Sequence, residues 1–383
     1  MDKWKKHSFG EVAERSKERH NPKKEEEDLK CIELEHLESE TGRLLGYTYS
    51  HRQKSTKNKF YEDEVLYGKL RPYLKKYYLA DFEGVCSSEI WVLRAKKETI
   101  LNEYLYYLVQ TSRFNRFANI TSGTKMPRAN WSFISETMFK IPPKNEQRKI
   151  SNIISIWDKG IKLKKELIEE KRKQKKGLMQ RLLTGKVRLD GFNEEWKEVK
   201  LGKVLEERKE RGYEDLELLS ITSSEGVIKR SELDKKNTSS SNKSKYKRIL
   251  PKDIGYNTMR MWQGVCGVSE YEGIVSPAYT ILKPTDTVDS YFMGYLFKLP
   301  TIINLFRRYS QGMVNDTLNL RYNNFKQIKV TIPTDIEEQR EIVKILKLQD
   351  KEIELLEQEV EALKEQKKGL MQLLLTGKVR VEC

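Results

Sequence analysis

The chain has 383 residues, of which 73 are lysine or arginine and 57 are aspartate or glutamate, so its formal net charge is +16 at neutral pH. No apolar run approaches the ~18 residues of a membrane span, and the N-terminal MDKWKKHSFG lacks the apolar core of a secretion signal, so we expect neither a signal peptide nor membrane contact. The four cysteines share no short spacing, which argues against a disulfide framework and fits a reducing cytoplasm, and the four histidines lie within the first 51 residues, which argues against a metal cluster repeated in both halves.

The excess of positive charge has two interpretations. The simpler one is a protein with solvated charged faces, and the functional one is a protein that binds a polyanion. The chain also has 19 tyrosines and six tryptophans, and basic surfaces with aromatic residues are common in nucleic-acid-binding proteins. We therefore favour a nucleic acid as the partner.

Residues 1–145 are predicted to form a globular domain of mixed secondary structure. The segment Tyr67–Pro72 (YGKLRP) ends a predicted strand in a glycine turn. Apolar residues at helical spacing predict one amphipathic helix over Thr99–Phe117. A polar loop rich in glycine and proline follows at Thr121–Arg128, and Pro142 with Pro143 ends the domain.

Residues 146–185 and 335–377 are each predicted to form one long helix. Apolar residues in the second helix alternate in steps of four and three, which is the heptad pattern of a coiled-coil seam. The apolar seam residues are Ile342, Leu346, Ile353, Leu356, Val360, Leu363, Leu370 and Leu374. The first helix has the same seam, except that Lys164 and Lys171 stand where the second has leucine. At 1.5 Å per residue each helix would be roughly 55 Å long. Polar residues cover its other faces, so neither helix can bury its apolar seam without a partner.

Residues 186–334 are predicted to form a second globular domain on the plan of the first. Ile254–Gly264 takes the place of the glycine-turn segment, and Tyr291–Tyr309 that of the amphipathic helix. The segment Gln311–Asp316 takes the place of the polar loop. Between these landmarks the two domains share little sequence, so the frame is duplicated and the surfaces differ.

The two halves are copies of one unit. At an offset of 192 residues, KKGLMQRLLTGKVRL (175–189) and KKGLMQLLLTGKVRV (367–381) differ only at Arg181/Leu373 and Leu189/Val381. A period this long indicates a duplicated domain with a helix attached. The two helices could pair with each other, pair with a second chain or stay in solvent, and pairing with each other is the simplest arrangement. We therefore predict an α+β protein in which two globular α/β domains are separated by two long helices that form an antiparallel intramolecular coiled coil.

The sequence has no catalytic motif that we could identify. It contains no phosphate-binding G-x-x-x-x-G-K-[ST], no G-x-G-x-x-G after a strand, no H-E-x-x-H and no paired cysteines. The carboxylates follow the helix faces, where pairing with lysine explains them. These observations favour a non-catalytic binding protein.

The repeated motifs resemble those of a known family over essentially the whole chain, the specificity subunits of Type I restriction–modification enzymes. The resemblance is carried by Glu146-Gln147-Arg148, by Glu338-Gln339-Arg340, by the two KKGLMQ…LLTGK helix ends, and by the segments Tyr67–Pro72 and Tyr256–Arg260. It implies two target-recognition domains that each read one half of a split, asymmetric site in double-stranded DNA. It also implies two methylation subunits docked on the helices and restriction subunits in a larger complex. S-adenosylmethionine, ATP and Mg would belong to those partners, with no cofactor on this chain.

Reading bases in a groove requires donors and acceptors on exposed loops, while cations bind phosphates without sequence preference. The candidate DNA-binding residues are Lys69, Arg71, Gly123, Lys125 and Arg128 in the first domain, and Asn257, Arg260, Trp262, Gln263, Gln311, Gly312 and Asn315 in the second. A phosphate contact or a plain surface position is an alternative for each polar residue. The two glycines could be turn residues, and Trp262 could be a core residue or a wedge in a groove. We expect the partner subunits to bind exposed helix faces, and the candidate residues are Gln147, Arg148, Gln339 and Arg340.

Two other functions stay open. A coiled-coil scaffold whose basic domains bind RNA or protein would keep its assembly when Arg71 and Lys125 are replaced, whereas a DNA reader would lose one class of sites. An enzyme with a cryptic active site would have to methylate or cleave DNA as the purified chain alone.

Overall fold

A computed structural model describes residues 3–122, 125–223, 225–233 and 242–382. The chain divides into two compact units: unit 1 comprises Met1–Lys165 and Gln358–Cys383, and unit 2 comprises Glu166–Glu357. Each unit therefore contains one globular domain and a segment of each long helix. None of the helices in the described ranges is long and apolar enough to cross a lipid bilayer.

The globular domain of unit 1 is built on two sheets. Its strands are β1 (Lys5–Ser8), β2 (Ala13–Arg15), β3 (Arg19–His20), β4 (Lys30–Ile32), β5 (Thr48–Tyr49), β6 (Lys57–Phe60), β7 (Val65–Gly68), β8 (Tyr77–Leu79), β9 (Gly84–Cys86), β10 (Ile90–Ala95), β11 (Thr121–Ser122), β12 (Arg128–Ala129) and β13 (Met138–Ile141). Its short helices are α1 (Phe9–Val12), α2 (Asn102–Leu108), α3 (Ser112–Ala118) and α4 (Trp131–Ser135). The first sheet is antiparallel in the order β2-β10-β7-β8, and the second has the order β3-β6-β9-β4-β5 with β4 parallel to β9. The strands β1 and β13 form a separate antiparallel pair, as do β11 and β12.

The four-stranded sheet of unit 1 is buried on both faces, which explains its continuous apolar strands. Trp91 and Leu93 of β10 pack in the core that also contains the helices, with Phe114 of α3. Ile90 and Val92, which alternate with them along the strand, pack in a second core on the other face. Because successive side chains of a strand point to opposite faces, the sequence IWVL places two residues in each core.

The globular domain of unit 2 repeats this frame with different surfaces. Its strands are β14 (Lys197–Lys200), β15 (Leu205–Arg208), β16 (Leu219–Ile221), β17 (Val227–Lys229), β18 (Lys247–Ile249), β19 (Ile254–Asn257), β20 (Cys266–Val268), β21 (Gly273–Val275), β22 (Tyr279–Pro284) and β23 (Lys329–Ile332). Its short helices are α6 (Leu201–Val204), α7 (Ser290–Leu296), α8 (Pro300–Tyr309) and α9 (Tyr322–Phe325). The sheet order β15-β22-β19-β20 matches β2-β10-β7-β8 of unit 1 strand for strand. The prediction of mixed α/β domains on a duplicated frame is therefore confirmed.

The prediction of one continuous amphipathic helix in each domain is wrong, because each predicted segment forms two helices. In unit 1 the break lies between α2 and α3, where the Thr111 side chain accepts a hydrogen bond from the Phe114 amide (3.2 Å) and begins α3. In unit 2, Pro300 is the first residue of α8. Proline fits the first turn of a helix and not its interior, so Tyr291–Tyr309 cannot be one continuous helix.

The two long helices are α5 (Lys144–Leu182) and α10 (Ile336–Leu374), each of 39 residues. In unit 1, Lys367 donates to Asp158 (2.5 Å) and Lys164 pairs with Glu359. In unit 2, the ion pairs across the helices are Lys171–Glu352 (2.5 Å), Arg172–Glu357 (2.6 Å) and Lys175–Asp350. From Asp158 to Lys164 in unit 1 the partner number falls from 367 to 359, and from Lys171 to Lys175 in unit 2 it falls from 352 to 350, so the helix segments within each unit run antiparallel. The seam lysines Lys164 and Lys171 are thus accommodated by carboxylates of the facing helix.

The repeated sequence at the end of each long helix contributes to a buried cluster that we call the carboxylate clasp. In unit 1, Arg380 binds the Glu146 carboxylate through two hydrogen bonds (2.6 and 2.7 Å), and the indole of Trp4 donates a third (3.0 Å). In unit 2, Arg188 binds Glu338 in the same way (2.6 and 2.8 Å), together with Trp196 (3.3 Å). The glutamate side chains are 2% and 1% exposed. The clasps explain why a glutamate near the start of each helix and an arginine after each helix end occur together in both copies.

The clasp of unit 1 predicts a loss of stability in acid. Burial alone would raise the pKa of Glu146, but the hydrogen bonds from Arg380 and Trp4 outweigh it and hold that pKa below its ordinary value. A carboxylate whose pKa is lowered by folding stabilises the folded state above its unfolded pKa, about 4.3 for glutamate, and this contribution is lost as the pH falls through the folded pKa. We therefore expect the difference in urea midpoint between the wild type and Glu146→Gln to shrink from about pH 6 to about pH 3. A difference that stays constant over this range would contradict a role for the ionised Glu146.

The expected exposure of Gln147 and Gln339 is wrong. Gln147 is fully buried, accepts from the Leu101 amide (2.8 Å) and donates to the carbonyls of Thr99 and Pro142 (both 2.8 Å). Gln339 is fully buried in unit 2, where it accepts from the Asp289 amide (2.8 Å) and donates to the carbonyls of Pro333 (3.0 Å) and Thr287 (3.2 Å). These glutamines fix each long helix to its own domain by satisfying buried backbone groups. Arg148 and Arg340, by contrast, are exposed.

Candidate nucleic-acid interface

Two loops of the first domain lie side by side and bring most of its predicted DNA-binding residues together. The amide of Arg71 donates to the Pro127 carbonyl (2.8 Å), and the amide of Ala129 donates to the Lys69 carbonyl (2.8 Å). The segment that follows β7 and the segment that leads into β12 therefore form one surface. The predicted residue Gly123 lies outside the described residues.

The predicted cations on this surface differ in what they contact. The side chains of Arg71 and Lys125 are exposed, and Arg71 has a left-handed backbone with a φ of 52°. Arg128 instead binds the carboxylate of Glu89 through two hydrogen bonds (2.9 and 3.1 Å), and the Lys69 ammonium lies 3.9 Å from the same carboxylate. Hydrogen bonding to Glu89 raises the pKa of Arg128. Arg71 and Lys125 thus face solvent, while Lys69 and Arg128 contact the carboxylate of Glu89.

A cavity of about 350 Å³ lies next to this ion pair. It is lined by Arg15, Lys69, Trp91, Arg128, Ala129, Asn130 and Trp131. The two indole rings meet edge to face with centroids 5.6 Å apart, and the Arg15 guanidinium lies 5.9 Å from the Trp131 centroid. The combination of cations with aromatic walls is typical of surfaces that bind nucleic acid.

The second domain presents a comparable pair of segments. The Leu320 amide donates to the Thr258 carbonyl (2.9 Å), which corresponds to the bond between Ala129 and Lys69 in the first domain. The predicted residues Asn257, Arg260, Trp262 and Gln263 lie on the first segment, and Gln311, Gly312 and Asn315 lie on the second. The side chains of Arg260, Gln263, Gln311 and Asn315 are exposed, and those of Asn257 and Trp262 are half-buried.

Trp262 and Gly312 have local structural roles. The Trp262 indole donates to the Met259 carbonyl (3.0 Å), and its ring lies 5.9 Å from the Arg307 guanidinium, which in turn donates to Asn315 (3.4 Å). Gly312 has a φ of 141°, and a Cβ there would lie 2.6 Å from the Thr317 carbonyl oxygen. The conformation of the loop is therefore enough to explain the glycine, and a close approach of DNA is not needed to explain it.

The two domains differ at one set of charged positions on their common frame. The strand registers place Arg15 opposite Leu93 in unit 1 and Glu207 opposite Leu282 in unit 2. By the corresponding backbone contacts, the counterparts of Lys69, Glu89 and Arg128 are Thr258, Ala278 and Asn319. Arg15, Glu89, Trp91 and Trp131 were not among the residues predicted from the sequence. Comparing the two halves would have found them, but from β7 (against β19) to β10 (against β22) the offset is 189 residues and not 192, so a fixed offset of 192 hides the counterparts of Glu89 and Trp91.

Both halves of the chain match a known sequence family. Residues 1–171 and 193–365 match the model of the family described as Type I restriction modification DNA specificity domain. The chain is 27% identical over 322 residues to the putative type I restriction enzyme MjaX specificity subunit of Methanocaldococcus jannaschii, covering 76% of this chain and 71% of that protein. It is 24% identical over 332 residues to the MjaVIII specificity subunit of the same organism, covering 78% and 75%. A shorter match, 35% identical over 118 residues, covers 30% of this chain and 26% of the EcoDI specificity subunit of Escherichia coli.

Solved structures share the fold over nearly the whole chain. A chain from a study of complex assembly and conformational transition of the type I R-M system has a TM-score of 0.65 at 18% identity, covering 98% of both chains. The HsdS subunit from Thermoanaerobacter tengcongensis has a TM-score of 0.52 at 19% identity, covering 98% of this chain and 97% of that chain. At 18% and 19% sequence identity, this similarity shows a shared fold and nothing further.

Proposed function

The chain belongs to the Type I restriction modification DNA specificity family, and from this premise we propose that it is the DNA-recognition subunit of a Type I restriction–modification complex. The subunit is not catalytic by itself and directs the methylation and restriction subunits to a sequence. The observation that carries this proposal is the paired loop surface, which has the same backbone frame in both domains but different side chains. Two different surfaces on one frame suit two different half-sites.

We propose that the recognised site is bipartite, with a fixed gap. Residues 1–145 and 186–334 would each bind one half-site of double-stranded DNA, and the helices at 146–185 and 335–377 would form an antiparallel coiled coil that sets the gap. The antiparallel ion pairs within each unit support this arrangement. A helix of 39 residues is roughly 58 Å long, which exceeds the 34–36 Å of one DNA turn.

Two methylation subunits would dock on apolar positions that the long helices expose. Ile156 and Leu163 are 67% and 65% exposed in unit 1, and Leu348 and Leu355 are 69% and 48% exposed in unit 2. Seven residues are close to two helical turns, so each pair lies on one helix face. The offset of 192 residues relates Ile156 to Leu348 and Leu163 to Leu355. Two equivalent apolar faces suit two copies of one partner, and they replace Gln147 and Gln339 as the proposed docking residues.

The remaining parts of the complex follow from the same proposal. Restriction subunits would join the assembly in the cytoplasm of a prokaryotic cell. S-adenosylmethionine, ATP and Mg would be bound by the partner subunits, and this chain would bind none of them.

Exchange of the first domain tests the proposed function. Replacing residues 1–140 by those of a relative is expected to change one half of the methylated site and to leave the other half and the gap unchanged. Sequencing of modified bases in a host that carries the subunit and its partners measures this directly. A change in both half-sites, or a site without two separated parts, would contradict the proposal.

A further inference from the structure

We propose that Glu89 and Arg128 together recognise one guanine–cytosine base pair in the half-site bound by the first domain, with Glu89 as a specificity-determining residue. The inference rests on the proposed DNA-recognition function and names two side chains that read one position of the site. Arg128 was predicted to bind DNA, whereas the carboxylate beside it was not.

The ion pair is accessible and has the geometry of a base contact. Arg128 uses Nε and one terminal nitrogen to bind both oxygens of Glu89 at 2.9 and 3.1 Å. The side chains of Arg128 and Glu89 are 45% and 25% exposed. The edge of guanine in the major groove presents two acceptors, O6 and N7, that an arginine fork binds in the same bidentate manner. Glu89 therefore occupies, in the free protein, the donors that a guanine would use.

The fold does not require this ion pair. The Lys69 amide donates to the Glu89 carbonyl at 2.9 Å, and its counterpart in unit 2 joins Thr258 to Ala278 at 3.3 Å. The same backbone frame thus forms where alanine replaces Glu89 and asparagine replaces Arg128. Exposed ion pairs also contribute little to stability. The Glu89–Arg128 ion pair is consequently explained by binding of a ligand and not by stabilisation of the domain.

A guanine–cytosine pair satisfies both members of the ion pair when it separates them. Guanine supplies two acceptors to Arg128, and the N4 amino group of cytosine supplies a donor to the carboxylate of Glu89. A phosphate supplies acceptors alone, so a phosphate that takes Arg128 leaves Glu89 next to the negative charge of DNA, with the longer contact to Lys69 (3.9 Å) in place of two hydrogen bonds. An adenine–thymine pair likewise lacks the two adjacent acceptors that Arg128 requires. Glu89 therefore disfavours binding wherever the correct base pair is absent.

Neighbouring cations would hold the DNA backbone at this position. Lys69 lies 3.9 Å from Glu89, and Arg15 lines the same cavity. Once Arg128 and Glu89 engage bases, these two side chains are placed to neutralise phosphates, which fixes the register without reading sequence.

Selection from a randomised duplex library by the full-length subunit in its complex tests the proposal. Glu89→Ala and Arg128→Lys are compared with Glu98→Ala, which removes one negative charge at an exposed position of the same domain. Both test variants are expected to lose about tenfold or more of the preference for one G·C pair, while the half-site of the second domain stays unchanged and reports intact folding. Glu89→Ala is also expected to bind duplexes without the site more tightly, with a log–log salt slope steeper by about one. Glu98→Ala should match the wild type in base preference.

The outcomes separate this inference from the function on which it rests. If the wild type selects no sequence, the proposed DNA-recognition function itself fails. If the wild type selects a bipartite site and both variants retain every base preference, the assignment of Glu89 and Arg128 is wrong. Loss of preference at an A·T pair, or at many positions of the half-site together, would also overturn it, since the proposal requires one G·C position.

Discussion

Replacing Arg188 by leucine is expected to lower the free energy of unfolding of unit 2 by about 3–5 kcal/mol, because it leaves the Glu338 carboxylate buried without a cation. The carboxylate is 1% exposed, so water cannot replace the two hydrogen bonds that Arg188 donates. The indole of Trp196 remains as one donor at 3.3 Å, which is not enough to compensate a buried charge. Urea denaturation of the full-length chain measures the loss.

The second clasp and an exposed ion pair provide the matched comparisons. Arg380→Leu removes the equivalent cation from Glu146 and should destabilise unit 1 by a similar amount. Lys344→Ala breaks a pair with Glu341 whose side chains are 67% and 41% exposed, and it should cost less than about 1 kcal/mol. If Arg188→Leu proves as mild as Lys344→Ala, the clasp does not stabilise the unit as we infer.

If two methylation subunits dock as we propose, replacing Ile156 and Leu163 by aspartate is expected to release one copy and to leave the other bound. Interface anchors of this size typically contribute about 2 kcal/mol or more each, so a double substitution should weaken binding by about a hundredfold to a thousandfold. Both side chains are more than half exposed in the free chain, so the substitutions should leave the fold intact. Native mass spectrometry of the assembled complex counts the copies.

The repeat supplies the control for this experiment. Replacing Leu348 and Leu355 by aspartate should release the other copy, and all four substitutions together should release both. If either double variant retains both copies, these faces are not the docking sites. The same conclusion follows if one double variant loses both copies. Circular dichroism would check that the helices remain folded.

The long helices and the duplicated frame could be predicted because their signals are periodic. The heptad seam predicted helices whose ends differ by one to three residues from those observed. Ionic partners of the seam lysines could not be predicted, since they depend on which residues of the other helix face them. The exposure of Gln147 was predicted wrongly for a similar reason: a glutamine between Glu146 and Arg148 looks exposed in sequence, and only the fold reveals the backbone groups of Thr99 and Pro142 that it satisfies.

The candidate interface was predicted in part. The loops that carry Lys69, Arg71, Lys125 and Arg128 were identified by their glycine, proline and cation content, and backbone hydrogen bonds bring them together. Glu89 was missed because a lone glutamate before an apolar strand has no distinctive pattern. The relatives described above are specificity subunits, so the alternative of an RNA- or protein-binding scaffold is not supported.

The division of the chain into units has a consequence for its synthesis. Unit 2 is one continuous stretch, Glu166–Glu357, whereas unit 1 needs the last 26 residues, Gln358–Cys383, to complete it. On the ribosome, where domains generally fold as they emerge, the domain that is made first must wait for Arg380 before its buried Glu146 acquires a cation. Unit 2 can therefore complete its folding before unit 1, although most of unit 1 is translated earlier. The nascent N-terminal domain is the part of the chain that chaperones would have to protect.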